Sequence, residues 1–199
     1  MSSPLVHAIL SRIEAPAASV VAQPVPPGGD ESHEYYRRYI ERVPPGNLLE
    51  ILRRQVGEVV DFFGAFNEAQ AGFAYAPEKW TIKEVLGHLI DTERVFAFRA
   101  TWFARQSAGA LPGFSQDDWM APADFNRRPL QELIAEWIVV RAGTIALLEG
   151  LPADGPSRRG IASEREFSVQ ALLYICPGHV IDHFDAVRRL YLADPSWPK

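Results

Sequence analysis

Four stretches of this chain repeat apolar residues at three- and four-residue intervals, and little of it alternates apolar with polar. That period belongs to helices that bury one face, so the chain is constrained to an all-α packing. The first stretch opens at Asn47, with Glu50 three residues on in capping-box spacing, and runs through Leu48, Leu49, Ile51, Leu52, Val56, Val59, Val60 and Phe63 to about Ala69. A second box, Thr81 and Glu84, opens the next helix, whose stripe is Ile82, Leu86, Leu89, Phe96 and Phe103. Pro129 suits the first turn of a third helix, carried by Leu130, Leu133, Ile134, Trp137, Ile138, Ile145 and Leu148 and ending near Gly150. Ser168 caps a last helix that ends near Ala193. The expectation is a four-helix bundle.

The connecting segments carry their own signals. Residues 1–30 read as a flexible or peripheral N-terminal extension, with a short helix around Leu5–Ile13 and a break at Pro24-Val25-Pro26-Pro27-Gly28-Gly29. Residues 31–199 form the bundle domain. Ser32 is the expected cap of a short helix through Tyr35, Tyr36, Tyr39 and Ile40 that pads the outside of the core. The connection from Gln106 to Arg128 is long for a compact domain, which marks it as functional or braced by its own side chains. Residues 151–167 hold turn signals suited to a small hairpin. Pro177 falls inside the last periodic segment, where it predicts a kink or a break.

Chemistry concentrates in three histidines. His179 and His183 are four residues apart, so their imidazoles lie on one helix face and can converge on one ion. His88, on the inward side of the second helix, is the third candidate ligand. Three nitrogen donors leave coordination positions open, as a catalytic metal requires. The donor set suits a divalent ion such as zinc, nickel or iron without choosing among them. His7 and His33 are assigned to the surface. Glu84, Asp91 and Asp182 lie close enough in sequence to orient a ligating imidazole, although ordinary surface pairs such as Asp91 with Arg94 are the simpler reading. Cys176 reads as a buried apolar residue rather than a ligand, and Trp80 and Trp137 as core. Asp117, Asp118 and Trp119 either rim a pocket or brace their loop. Arg94 and Arg99 either face the metal mouth or form surface ion pairs.

Composition excludes several classes. A net charge of −5 and scattered arginines argue against a nucleic-acid partner. No apolar run approaches the roughly 20 residues a bilayer needs, so no membrane partner is expected. The single cysteine and the lack of a secretory pattern point to the cytoplasm.

The run from Tyr75 to Arg94, with Pro112-Gly113-Phe114, Asp124-Phe125-Asn126 and Gly178-His179-Val180-Ile181-Asp182-His183, resembles the DinB-like superfamily in order from about Glu34 to Leu192. The resemblance implies an up-down-down-up bundle with one divalent metal held by His88, His179 and His183. It also implies a homodimer and a small-molecule substrate, including a low-molecular-weight thiol. Thiol-dependent S-transferase or isomerase chemistry is the first functional expectation. Metal-dependent hydrolysis and a non-catalytic metal- or ligand-binding bundle are the alternatives. Pro177 and Asp182 depart from the family pattern, which commonly has a small residue and a further histidine there.

Overall fold

The structure is a computed structural model and describes residues 8, 9, 11, 13 and 24–199. From Glu34 on, among the described residues, seven α-helices follow one another: α1 (Glu34–Ile40), α2 (Leu48–Gly64), α3 (Glu68–Ala71), α4 (Ile82–Ala104), α5 (Gln116–Ala123), α6 (Leu130–Glu149) and α7 (Val169–Leu190). A hairpin of β1 (Arg159–Ala162) and β2 (Arg165–Ser168) lies between α6 and α7. Its two-residue turn places Ser163 and Glu164 at positive φ, the conformation that matches the twist of the strands. Helices α2, α4, α6 and α7 form the four-helix bundle, and the apolar stripes of the sequence are its core. Leu52, Val59, Phe63, Leu86, Leu133, Trp137 and Leu148 are fully buried.

Side-chain pairs give the direction of each helix. Phe62 and Phe63 of α2 meet Phe184 of α7, and Gln55 reaches Pro177 a turn or two earlier, so these helices run parallel. Arg53 near the start of α2 pairs with Glu149 at the end of α6, which makes that pair antiparallel. Glu68 pairs with Lys83 at the start of α4 and accepts from the Leu130 N–H at the start of α6, and further along both helices Arg94 pairs with Glu136 and Glu93 with Arg141, so α4 and α6 run in the same direction. The topology is therefore up, down, down, up. Two consecutive parallel helices force the chain to travel back along the bundle before α6 can start. That return is the long 105–129 connection, and it is built rather than loose. It holds α5, a 3₁₀ turn at Phe125–Arg127 and a bridge from Leu111 to Ala162 of the hairpin.

Helix boundaries follow local capping. Thr81 and Glu84 close a reciprocal box, and the Asn47 side chain accepts from the N–H groups of Leu49 and Glu50. Helix α2 ends at Gly64 rather than Ala69, because Asn67 and Gln70 form a further box that starts α3. Pro129 is the N-cap of α6 rather than a residue of its first turn. His33, not Ser32, caps α1, its Nδ1 accepting from the Tyr35 N–H, and it is half-buried. His7 and most of the expected 5–13 helix lie outside the described residues. Those described, 8, 9, 11 and 13, are helical, and Ile13 is buried. The described end of the N-terminal extension lies on the hairpin end of the bundle. There Pro24 accepts from the Tyr174 hydroxyl and Asp30 pairs with Arg159.

Two expectations fail for related reasons. Pro177 neither breaks nor ends its helix, which runs without interruption from Val169 to Leu190. The side-chain amide of Gln55 donates to the Pro177 carbonyl at 3.0 Å, which ties α2 to this turn of α7. Helix α1 is not outer padding. It packs on α7 so closely that a Cβ on Gly178 would stand 1.9 Å from the Tyr39 carbonyl oxygen, and Tyr39 is buried. Only glycine allows that approach.

One guanidinium ties the bundle together. Arg141 of α6 is fully buried and grips both carboxylate oxygens of Glu93 on α4, at 2.6 and 2.7 Å. It also donates to Gln55 Oε1 and the Leu52 carbonyl on α2. Removing one member of a buried pair strands the other charge. Arg141→Met is expected to lower stability by about 3–5 kcal/mol in urea denaturation. Adding Glu93→Leu should recover much of that loss, and a double variant no more stable than the single would contradict this account.

Candidate metal centre

His88 lies in the second turn of α4, and His179 and His183 lie one turn apart on α7. Because these helices are antiparallel neighbours, their rings meet in the bundle interior. The Nε2 atoms of His88 and His179 are 3.1 Å apart and those of His183 and His179 3.0 Å apart. One nitrogen from each of the three rings lies within 4.8 Å of the others. Nitrogen donors bound to one ion at about 2.0–2.1 Å stand roughly 3.4 Å from each other, so the three residues fit a single divalent metal.

The surroundings keep these rings neutral. His88 and His179 are buried and His183 half-buried. Burial, reinforced by its neighbour His183, pulls His88 down to about 3. Burial takes His183 to about 4, with the Asp182 carboxylate opposing, and holds His179 well below the usual histidine range. Near neutral pH all three imidazoles are therefore unprotonated, the form a metal requires.

Thr92 supplies orientation that sequence reasoning missed. Its hydroxyl proton is spent on the His88 carbonyl at 2.6 Å, leaving a lone pair toward His179 Nδ1 at 3.3 Å. Thr92 thus accepts the Nδ1–H of His179, which puts the free lone pair of that ring on Nε2, inside the cluster. Four residues separate Thr92 from His88, so the helical spacing that linked the histidine pair could have identified it.

The carboxylates considered from sequence have other partners. Glu84 accepts from the Thr81 N–H in the capping box, Asp91 pairs with Arg94, and Asp182 pairs with Arg42 at 3.0 Å. Arg94 forms surface ion pairs with Asp91 and Glu136. Arg99 lies instead in the interior, holding Pro112 and Ser163. Cys176 is buried, its thiol pushed well up by burial and hydrogen-bonded to Leu172 O, away from the cluster. Trp137 is core, but Trp80 is only half-buried, and its ring lies 4.8 Å from that of His88. The Tyr39 ring stands edge-on to His179 at 5.0 Å. Aromatic faces therefore wall two of the three histidines.

A cavity of about 260 Å³ opens beside His183, and Trp80, Tyr75, Lys79, Asp117 and Tyr191 line it. Asp117 comes from the start of α5, so the crossover contributes to the rim of the site. Phe125, at the end of the same crossover, seats on Gly87. A Cβ there would fall 2.3 Å from the Phe125 ring, and the glycine fixes how closely the crossover covers His88.

The DinB superfamily profile matches residues 50–186. The chain belongs to the DinB superfamily. No curated protein matches it. Among solved structures, it is similar to YfiT from Bacillus subtilis, with a TM-score of 0.63 at 16% identity over 84% of this chain and 91% of that one. YfiT is described as a probable metal-dependent hydrolase with an unusual four-helix bundle topology. At that identity the likeness concerns the fold, and the directions of α2, α4, α6 and α7 accord with it. Among the described residues, no helix of this DinB-superfamily chain is long and apolar enough to cross a membrane.

Two outcomes test the centre. Thr92→Val should weaken zinc binding about 10–100-fold in a competition titration while the helical circular dichroism stays unchanged. The histidines are depressed relative to an unfolded value near 6.5, so between that value and about 4 the unfolded chain binds more protons. Metal-free protein should therefore be most stable above pH ~6.5 and lose stability progressively as the pH falls toward about 4. Denaturant midpoints across that window measure the loss, and His183→Ala should flatten it.

Proposed function

We propose that this protein is a metal-dependent hydrolase whose ion is held by His88, His179 and His183. The observation that carries this reading is the convergence of three neutral imidazoles, two of them buried, beside a cavity that Asp117 also lines. A divalent ion held by three histidines lowers the pKa of its water toward neutrality and polarises a carbonyl oxygen. The chain's own residues do the rest. Thr92 fixes the ring of His179, while Tyr39 and Trp80 keep bulk water from the back of the cluster. Asp117 provides a carboxylate to accept the proton that an attacking water gives up. Lys79 and Tyr75 bring polar groups to the same cavity for a substrate carbonyl or leaving group.

Thiol transfer, the first expectation from the family resemblance, uses the same ligands with a sulfur in place of water. The carboxylate on the cavity wall and the description of YfiT favour water. Zinc, nickel and iron remain the candidate ions, and a small molecule fits the cavity better than a polymer does.

Elemental analysis of purified protein should find close to one divalent ion per chain, lost in His179→Ala and in His183→Ala. The metal-loaded chain should then hydrolyse members of an ester and amide panel, with Asp117→Asn lowering kcat about 10²-fold or more. Bound metal with hydrolysis absent and thiol consumed in the presence of an electrophile would instead establish the transferase reading. Inactivity in both assays would leave a binding protein.

A further inference from the structure

Buried ions in folded proteins are paired, because an isolated charge inside a protein is costly. Arg99 departs from that rule. It is 2% exposed, yet no carboxylate among the described residues lies within ion-pair distance of it. One guanidinium nitrogen, Nη2, donates to the Pro112 carbonyl at 3.0 Å and to Ser163 Oγ at 2.8 Å. The other, Nη1, has no hydrogen-bond partner. Two further buried side-chain atoms share that condition, Arg53 Nε and Trp137 Nε1. Arg53, however, is paired with Glu149 and Trp137 is neutral, so Arg99 alone among the three is a charge without a counter-charge. Burial lowers the pKa of its guanidinium, and the electrostatic pull and a hydrogen bond of the neutral Tyr36 hydroxyl oppose that shift without supplying a counter-charge.

Arg99 also lines a cavity of about 360 Å³ between α4 and the crossover, a volume suited to a small ligand. Its walls are apolar, formed by Val95, Phe98, Leu111, Phe114 and Trp119. Phe98 and Trp119 line it and are 55% and 42% exposed, so two large rings stay substantially open to solvent there. Asp91, the acidic residue on the wall, is already neutralised by Arg94. The chamber shares Asp91, Phe114 and Trp119 with a void of about 10 Å³ that reaches His88 and Thr92.

We propose that this chamber binds a small organic acid, an apolar aryl or acyl body ending in one carboxylate, with Arg99 as its counter-charge. The apolar walls take the body, and the N–H protons of the free Nη1 take the acid. Nη1 now has less than 1 Å² of open surface, so the carboxylate must replace a group covering the guanidinium. The Phe114 ring, 5.9 Å from the guanidinium carbon and tilted against the Trp119 ring at 4.5 Å, is the group that moves. This site goes beyond the metal-centred reaction and does not depend on a bound ion.

Calorimetric titration of the full chain with 4-phenylbutyrate, and separately with its uncharged analogue 4-phenylbutyramide, tests the assignment. The acid should bind at least about tenfold tighter than the amide and change the tryptophan emission, a change lost in Trp119→Phe. Arg99→Gln should erase the preference while leaving amide binding in place. Phe98→Asp, which leaves the contacts of Arg99 with Pro112 and Ser163 intact, should weaken the acid more than the amide. His179→Ala should bind the acid as the native chain does, so a failed metal centre and a failed chamber give different results. Equal affinity for acid and amide would overturn the proposal. So would no heat from either at 5 mM, a preference that survives both Arg99→Gln and Phe98→Asp, or acid binding confined to metal-loaded protein.

Discussion

Arg141 reaches every helix of the bundle, directly or through one partner. It holds Glu93 on α4 bidentately, Gln55 and the Leu52 carbonyl on α2, and, through Gln55, the Pro177 carbonyl on α7. Apolar stripes alone permit helices to slide or rotate with modest loss, since hydrophobic contact has no direction. A forked cation against a carboxylate does not tolerate that slip. The network therefore sets the axial register of α4 against α7. Glu93 stands one residue after Thr92, and Pro177 two residues before His179. The register it fixes is the one that brings His88 within 3.1 Å of His179.

The same few residues reconcile sequence elements that look disruptive alone. Pro177 removes a backbone donor and Gly178 removes a side chain, in the helix that carries His179 and His183. Gln55 of α2 docks on the Pro177 carbonyl, and α1 fills the space left at Gly178 with its own backbone at Tyr39. What reads as a weak point in α7 is the place where two other helices dock. The Tyr39 ring then becomes part of the wall around His179.

The histidine cluster was legible in the sequence because helical periodicity is a local rule, and His179 and His183 obey it without reference to the rest of the fold. The four stripes, the Thr81 box, the Ser168 cap and the hairpin were legible for the same reason. Less visible were features that depend on which helices become neighbours. Trp80 reads as core by spacing, yet it lies against His88 because α7 brings Tyr191 to its carbonyl and leaves the ring at the cavity. Arg99 reads as a surface residue, yet it is interior because the crossover and the hairpin turn close over it. The acidic residues near the ligands in sequence went to caps and surface pairs, and a threonine hydroxyl took the orienting role instead.

The parallel course of α4 and α6 has a consequence for diversification. A chain with this order must send a strap of some two dozen residues back across the histidine face, whatever it binds. The strap seats Phe125 in a glycine notch at Gly87, buries Met120, and bridges to the hairpin through Leu111. Phe114, Asp117 and Trp119 of the same strap line the cavities instead, so substitutions there would change which molecules are admitted while leaving the histidine scaffold beneath as it is.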